Sequence, residues 1–145
     1  ASAAAAESDA AGTSVLDFEE RFETSPDELY ALLLDSNRMS MVTGGATIER
    51  RVGGAFTLFS GAVTGFLTGL EDGRRIVQRW RFSSWPAGVY SVVTMELAAR
   101  SGQTVLRLRQ TGVPDEDKAR AEAGWRQNIF GRIRVMFGLG GMPNF

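Results

Sequence analysis

The sequence contains no cysteine and no histidine in its 145 residues. The lack of cysteine excludes disulfide bonds, thiolate metal sites and thiol nucleophiles. The lack of histidine excludes imidazole metal ligands and every catalytic arrangement built on a Ser-His or Cys-His pair. A conventional hydrolase is therefore not expected, and neither a metal site nor a cofactor site is predicted.

An excess of charge of one sign is also lacking, since 16 basic residues face 17 acidic ones and the net charge is -1. No basic excess would draw the chain to nucleic acid or to an acidic membrane surface. No apolar run approaches the roughly 18 residues that a membrane-spanning helix needs. The apolar share of 43% is ordinary for a globular protein, and the length suits one domain. We therefore expect one domain with no nucleic-acid or membrane partner.

The chain begins with small residues of low complexity, which have no apolar face to bury. Residues 1–13 are therefore predicted to form a linker or a disordered segment. The folded domain is expected to extend over residues 14–141, and residues 142–145 are expected to form a tail. No internal repeat is visible in the sequence.

From Leu16 onward the pattern indicates strands and short helices. Apolar side chains at Leu16, Phe18 and Phe22 alternate with charged ones, which predicts a half-buried strand. Ser25, Pro26 and two acidic residues then predict a helix start, and a second short helix is expected before Gly44. Four to six strands follow, separated by glycine turns: 46–52, 55–60, 62–70, 74–83, 89–99 and 103–111. Strands spaced this closely pair as an antiparallel meander.

The end of the sequence changes to a helical period. Pro114 and three acidic residues predict a helix start, and Trp125, Ile129, Ile133 and Met136 or Phe137 form one apolar stripe. The apolar face of the sheet is large enough to cover this stripe. The sequence thus predicts an α+β fold in which a curved antiparallel sheet of about six or seven strands wraps around a long C-terminal helix, with short helices after the first strand.

Four motifs carry a resemblance to a known family. They are Trp-Arg-Phe-Ser-Ser-Trp-Pro-Ala-Gly at residues 80–88, the 112–138 stretch with Gly-Trp-Arg-Gln-Asn-Ile-Phe, Phe-Thr-Leu-Phe-Ser-Gly at 56–61 and Thr-Ser-Pro-Asp-Glu-Leu-Tyr at 24–30. In order and spacing the chain resembles, over residues 14–140, the C-terminal domain of the activator of heat-shock protein 90 ATPase. The resemblance implies a START-like, helix-grip fold, in agreement with the pattern above.

The same resemblance implies a function. It points to a cytoplasmic co-chaperone of the stress response that binds the heat-shock protein 90 dimer and promotes its ATP-hydrolysing closed state. Such a protein has no catalytic site or cofactor of its own, and we expect it to be monomeric. Members of the family usually carry a further N-terminal domain that binds the middle segment of the chaperone, and no part of this sequence matches that domain.

Two other classes of function stay open. Helix-grip proteins often carry lipids or polyketides between helix and sheet, and a cavity here would be lined by Phe56, Phe66, Trp80, Phe82, Trp125 and Ile129. Some are enzymes, but Glu20 is the only inward-facing acid of the first strand, and pairing with an arginine is expected for it more than catalysis. A void of several hundred Å³ would favour the carrier, and a filled core the co-chaperone.

Three residues are predicted to bind the partner: Trp85, Arg81 and Arg79. Trp85 precedes Pro86 where a strand breaks, and rigid exposed aromatics dominate interface energies. The alternative is that Trp85 folds back and caps one end of the fold. Arg79 and Arg81 point away from the core, as do Arg107 and Arg109. Instead of a docking patch, these arginines could form a ladder with the acidic side of the first strand, at Asp17, Glu19 and Glu23.

Overall fold

Seven antiparallel strands form one sheet in the computed structural model, which describes residues 12–140. The strand order across the sheet is β1-β7-β6-β5-β4-β3-β2, so β2 to β7 make a meander and β1 pairs with the last strand. This confirms the predicted antiparallel sheet. The strands are β1 (Thr13–Phe22), β2 (Thr47–Ile48), β3 (Ala55–Leu58), β4 (Val63–Glu71), β5 (Arg75–Phe82), β6 (Ser91–Arg100) and β7 (Gln103–Pro114).

Two short helices, α1 (Pro26–Leu33) and α2 (Ser36–Thr43), connect β1 to β2. Each begins at a capping side chain, because the first backbone N–H groups of a helix have no partner within it. The Ser25 hydroxyl accepts a 3.2 Å hydrogen bond from the N–H of Glu28, and the Asp35 carboxylate accepts one of 2.9 Å from the N–H of Asn37. The predicted helix starts are confirmed.

The C-terminal helix, residues 115–136, has four consecutive parts. They are a 3-10 turn (Asp115–Asp117), α3 (Lys118–Ala123), a π-helical segment (Gly124–Gly131) and α4 (Arg132–Met136). The predicted stripe of Trp125, Ile129 and Ile133 is buried against the sheet, and the wider π-helical turn adds Phe130 to it. Of the two residues expected to continue the stripe, Met136 is exposed, whereas Phe137 is half-buried and packs against the core.

A chain of buried hydrogen bonds connects this helix to three strands. The indole Nε1 of Trp125 donates to Oε1 of Gln110 on β7, over 2.8 Å. Nε2 of Gln110 donates to Oγ of Ser91 on β6 at 2.9 Å, and that hydroxyl donates to the carbonyl oxygen of Trp80 on β5 at 2.7 Å. The helix is therefore positioned by directional contacts as well as by apolar packing.

Some predicted boundaries are wrong. The predicted linker reaches too far, because Thr13 begins β1 opposite Pro114, and the carbonyl of Gly12 accepts a hydrogen bond from the N–H of Asp115. The linker prediction at 1–11 and the tail prediction at 142–145 lie outside the described residues. The strand expected at 46–52 is only Thr47–Ile48, since the N–H of Arg51 turns back to the carbonyl of Glu49.

Within the described residues 12–140, no helix combines the length and the apolar character that crossing a membrane requires.

Candidate partner-binding surface

Trp85 lies in the loop between β5 and β6, and only 6% of it is exposed. Its ring packs edge-on against those of Trp80 and Phe82, with centroid separations of 5.8 and 5.6 Å. Its indole Nε1 donates a 2.7 Å hydrogen bond to Oδ2 of Asp117, at the start of the C-terminal helix. The expectation of an exposed anchor is therefore wrong, because the ring packs against other aromatic rings and its N–H group has a hydrogen-bond acceptor inside the fold. The alternative of a structural cap is confirmed.

Arg81, near the end of β5, holds the same loop in place. Its Nη2 donates to the carbonyl oxygens of Trp85 and Pro86, the second over 3.2 Å. Its guanidinium carbon lies 5.7 Å from the ring centre of Tyr90, within the range of a cation–π contact. Arg81 therefore fixes the loop after β5 and at the same time places a cation beside Tyr90.

Phe66, Arg79 and Tyr90 form a cluster on the outer face of the sheet, which points away from the C-terminal helix. Phe66 on β4 lies directly opposite Arg79 on β5. The guanidinium carbon of Arg79 is 5.4 Å from the ring centre of Tyr90, and the rings of Phe66 and Tyr90 are 6.1 Å apart. We call Phe66, Arg79, Arg81 and Tyr90 the outer patch.

The position of Phe66 corrects the prediction that it lines an internal cavity. Side chains alternate between the two faces of a strand. Val63 and Leu67, each 1% exposed, face the helix, whereas Phe66 faces outward and is 42% exposed. The inward position beside it is Gly65, where a Cβ atom would lie 1.9 Å from the carbonyl oxygen of Arg79. The close approach of β4 and β5 therefore requires glycine at this point.

The outer patch is cationic, and its charges are not neutralised. Within residues 12–140, no carboxylate lies within salt-bridge distance of Arg79 or Arg81. The predicted ladder is therefore wrong for these two arginines. It is confirmed for Arg107, whose Nη2 lies 2.9 Å from Oδ2 of Asp17 on the neighbouring β1. The hydrogen bond from Arg107 lowers the pKa of Asp17 below its usual value.

Glu20, the inward-facing acid of β1, is paired as expected. It is 9% exposed, and its Oε2 accepts a 2.9 Å hydrogen bond from Nε of Arg126. Its Oε1 lies 2.7 Å from Nη1 of Arg134. Both carboxylate oxygens are thus engaged by the C-terminal helix. This arrangement joins the helix to the sheet.

Among the described residues, the void found between helix and sheet has a volume of only about 20 Å³. A void of this size holds about one water molecule, whereas ligand cavities measure roughly 300–1,000 Å³. Of the predicted lining residues, Phe56 and Trp125 border the void, while Trp80, Phe82 and Ile129 are buried elsewhere in the core. The complete lining is Leu33, Leu34, Met39, Ile48, Phe56, Leu58, Leu67, Gln78, Met95 and Trp125.

Acidic residues do not gather into a metal-binding cluster anywhere in the described part of the chain.

The family model for "Activator of Hsp90 ATPase homolog 1-like protein" matches residues 23–138. The chain belongs to this family. Among curated proteins, it is 34% identical over 129 residues to the activator of 90 kDa heat shock protein ATPase homolog 1 of Homo sapiens, covering 88% of this chain and 38% of that protein. The homologous activator of Dictyostelium discoideum is 34% identical over 127 residues, covering 86% of this chain and 33% of that protein.

The chain thus spans 33–38% of the length of these curated relatives. Two solved structures are covered over a larger share of their own length. The crystal structure of an HSP90 activator from Plasmodium falciparum has a TM-score of 0.80 and 28% identity, covering 86% of this chain and 96% of that one. CalU16 from Micromonospora echinospora, at 23% identity and a TM-score of 0.67 over 79% of this chain and 70% of that one, shares the fold. The predicted helix-grip fold is confirmed.

Proposed function

We propose that this chain is a co-chaperone domain that binds heat-shock protein 90 and promotes its ATPase cycle by favouring the closed dimer. Its family membership supports this function. The observation that carries the proposal is the filled core, because a void of about 20 Å³ has no room for a carried molecule. In this role the domain acts in the cytoplasm as a monomer and contributes neither a catalytic group nor a cofactor.

The mechanism requires selective binding. A partner shifts a conformational equilibrium only by the difference in its affinity for the two states, and each tenfold difference is worth about 1.4 kcal/mol. The domain must therefore bind the closed chaperone more tightly than the open one. We assign the contact to the outer face of the sheet, with Arg79 and Arg81 among the binding residues. Trp85, being buried, acts there only by holding the loop that Arg81 also contacts.

The test is the ATPase rate of heat-shock protein 90 from the same organism, measured with increasing amounts of the chain. We expect the rate to rise and saturate, and the chain alone to hydrolyse no ATP. Affinity should be higher when the chaperone holds a non-hydrolysable ATP analogue than when it is free of nucleotide. Equal affinity for both states would contradict the closed-dimer mechanism, and failure to bind either state would contradict the proposed function.

A carrier of a small hydrophobic molecule is the second candidate, and one observation favours it. Oε1 of Gln78, on the wall of the void, is buried and accepts no hydrogen bond from the described residues. A ligand hydroxyl could donate to it, provided that the void expanded about tenfold or more. Native mass spectrometry of the chain purified from its own cells distinguishes the two candidates. A bound small molecule would favour the carrier, and the mass of the chain alone the co-chaperone.

A further inference from the structure

We propose that the outer patch binds an acidic segment of the partner chaperone, with a carboxylate of that segment on Arg79, beside the positive charge of Arg81, and apolar side chains on Phe66 and Tyr90. This inference rests on the proposed function and adds the binding residues and the chemistry of the partner. Phe66 and Tyr90 are new as binding residues, since the sequence pattern placed Phe66 in a cavity and gave Tyr90 no role.

The patch is built on a rigid support. Phe66 and Arg79 are cross-strand partners in the middle of the sheet, and Tyr90 immediately precedes β6. Arg79 and Arg81 are packed beside the Tyr90 ring, so their side chains lose less conformational freedom when a partner binds. An exposed aromatic ring with flanking arginines matches the composition of energetically dominant interface residues.

The positive charges of the outer patch favour an acidic partner. The chain has a net charge of -1, yet Arg79 and Arg81 have no carboxylate within reach in the described residues. The nearest acid along β6 is Glu96, four residues beyond Val92, which lies opposite Arg79. That separation is about 13 Å along a strand, beyond hydrogen-bond distance. Arg79 is therefore free to pair with a carboxylate of another chain, whereas Arg81, whose Nη2 donates to the carbonyl oxygens of Trp85 and Pro86, adds its positive charge to the patch.

The chemistry of arginine further limits the class of partner that the outer patch can bind. The guanidinium of Arg79 lies beside the Tyr90 ring and has no carboxylate partner among the described residues, so its N–H groups can bind both oxygens of a carboxylate from another chain. The nearby Phe66 ring offers apolar area that a free small anion would leave uncovered. We therefore infer a protein segment that carries both acidic and apolar side chains.

The test is the affinity of single variants for heat-shock protein 90, each with a matched control. Arg79→Glu should weaken binding about tenfold or more, and Arg79→Lys about threefold, because lysine keeps the charge but loses the paired N–H groups. The control Arg100→Glu makes the same charge change at the exposed far end of β6. Phe66→Ala should weaken binding about fivefold, and its control Met41→Ala truncates an exposed apolar side chain on α2. The affinity of both control variants for the chaperone should stay within about twofold of the wild-type affinity.

Two further measurements identify the partner segment. Raising the salt concentration should weaken the wild-type complex more than the Arg79→Glu complex, because exposed charges are screened. A photo-crosslinking amino acid in place of Phe66, followed by mass spectrometry, should mark a chaperone segment rich in Asp and Glu. A crosslink to a segment without acidic residues would overturn the inference.

The outcomes separate the two proposals. If the wild-type chain binds and the outer-patch variants bind equally well, the inference fails while the proposed function stands. If the wild-type chain does not bind, both fail. The free energy of unfolding of each variant, expected to stay near that of the wild type, shows that lost affinity does not come from lost folding.

Discussion

The indole Nε1 of Trp125 donates a 2.8 Å hydrogen bond to Oε1 of Gln110, while the indole Nε1 of Trp80 donates to no described residue. The two rings lie 6.0 Å apart, and each is 3% exposed. Two neighbouring, equally buried tryptophans therefore differ: the indole N–H of Trp125 makes a hydrogen bond, and that of Trp80 makes none with the described residues. Because only Trp125 belongs to the helix, its bond fixes the helix on the sheet.

The two tryptophans form a matched pair for mutation. Trp125→Phe should destabilise the fold more than Trp80→Phe, since both lose similar ring area but only the first leaves Gln110 without its donor. We expect the difference in the free energy of unfolding to be about 1–2 kcal/mol in urea titrations. An equal loss in both variants would show that packing alone holds the helix.

Trp85 should behave as a core residue although it lies in a loop. Trp85→Ala removes the contacts with Trp80 and Phe82 and leaves the Asp117 carboxylate without its donor. We expect a loss of about 2–4 kcal/mol in the free energy of unfolding. The neighbouring Pro86→Ala, at an exposed position, should cost at most about 0.5 kcal/mol. Similar small losses of stability in both variants would show that Trp85 contributes no more to folding than a surface residue does.

The Glu20 carboxylate should contribute more to stability than a surface acid. Glu20→Gln weakens the hydrogen bonds from Arg126 and Arg134 in a setting with little water, and we expect a loss of about 1–3 kcal/mol. Asp17→Asn, which breaks the exposed pair with Arg107, should cost about 1 kcal/mol or less. Chemical denaturation at pH 7 compares them, and a larger loss for Asp17→Asn would contradict this assignment.

The lowered pKa of Asp17 leads to a prediction of how the free energy of unfolding depends on pH. The Arg107 hydrogen bond lowers the pKa of Asp17 in the folded state, so below pH 4 the unfolded chain binds a proton first. The contribution of Asp17 is therefore present above the unfolded pKa and is lost as the pH falls through the folded one. We expect Asp17→Asn to be less stable than the wild type at pH 7, and we expect this difference to shrink at lower pH, once the pH falls below the usual pKa of an aspartate. A difference in stability that persists at the lower pH would contradict this linkage.

Local sequence signals predicted most of the fold. Ser25 and Pro26 are local signals that mark the start of the first helix, and the stripe at Trp125, Ile129 and Ile133 needs the sheet as its cover. The cap of the second helix, Asp35, was instead expected at the end of the first helix. The π-helical segment could not be predicted, because it widens one turn to place both Ile129 and Phe130 against the core. Such a change depends on the shape of the packed sheet and not on local preference.

Only some residues of the outer patch were predicted correctly from the sequence. Arg79 was placed outward by strand alternation, and the same rule applied strictly to Val63, Gly65 and Leu67 would have placed Phe66 outward too. Burial of Trp85 had no local signal, since it depends on Asp117, 32 residues later, meeting the loop. Contacts between distant parts of the chain become visible only when the sheet and the helix are assembled.

The nearly complete filling of the space between sheet and helix bears on how the domain responds to hydrostatic pressure. Pressure favours the state of smaller volume, and unfolding proteins gain that advantage largely by eliminating internal voids. A void of about 20 Å³ offers little volume to eliminate. This domain should therefore be stiff and barely compressible, and it should stay folded at pressures that unfold helix-grip proteins with an empty ligand chamber.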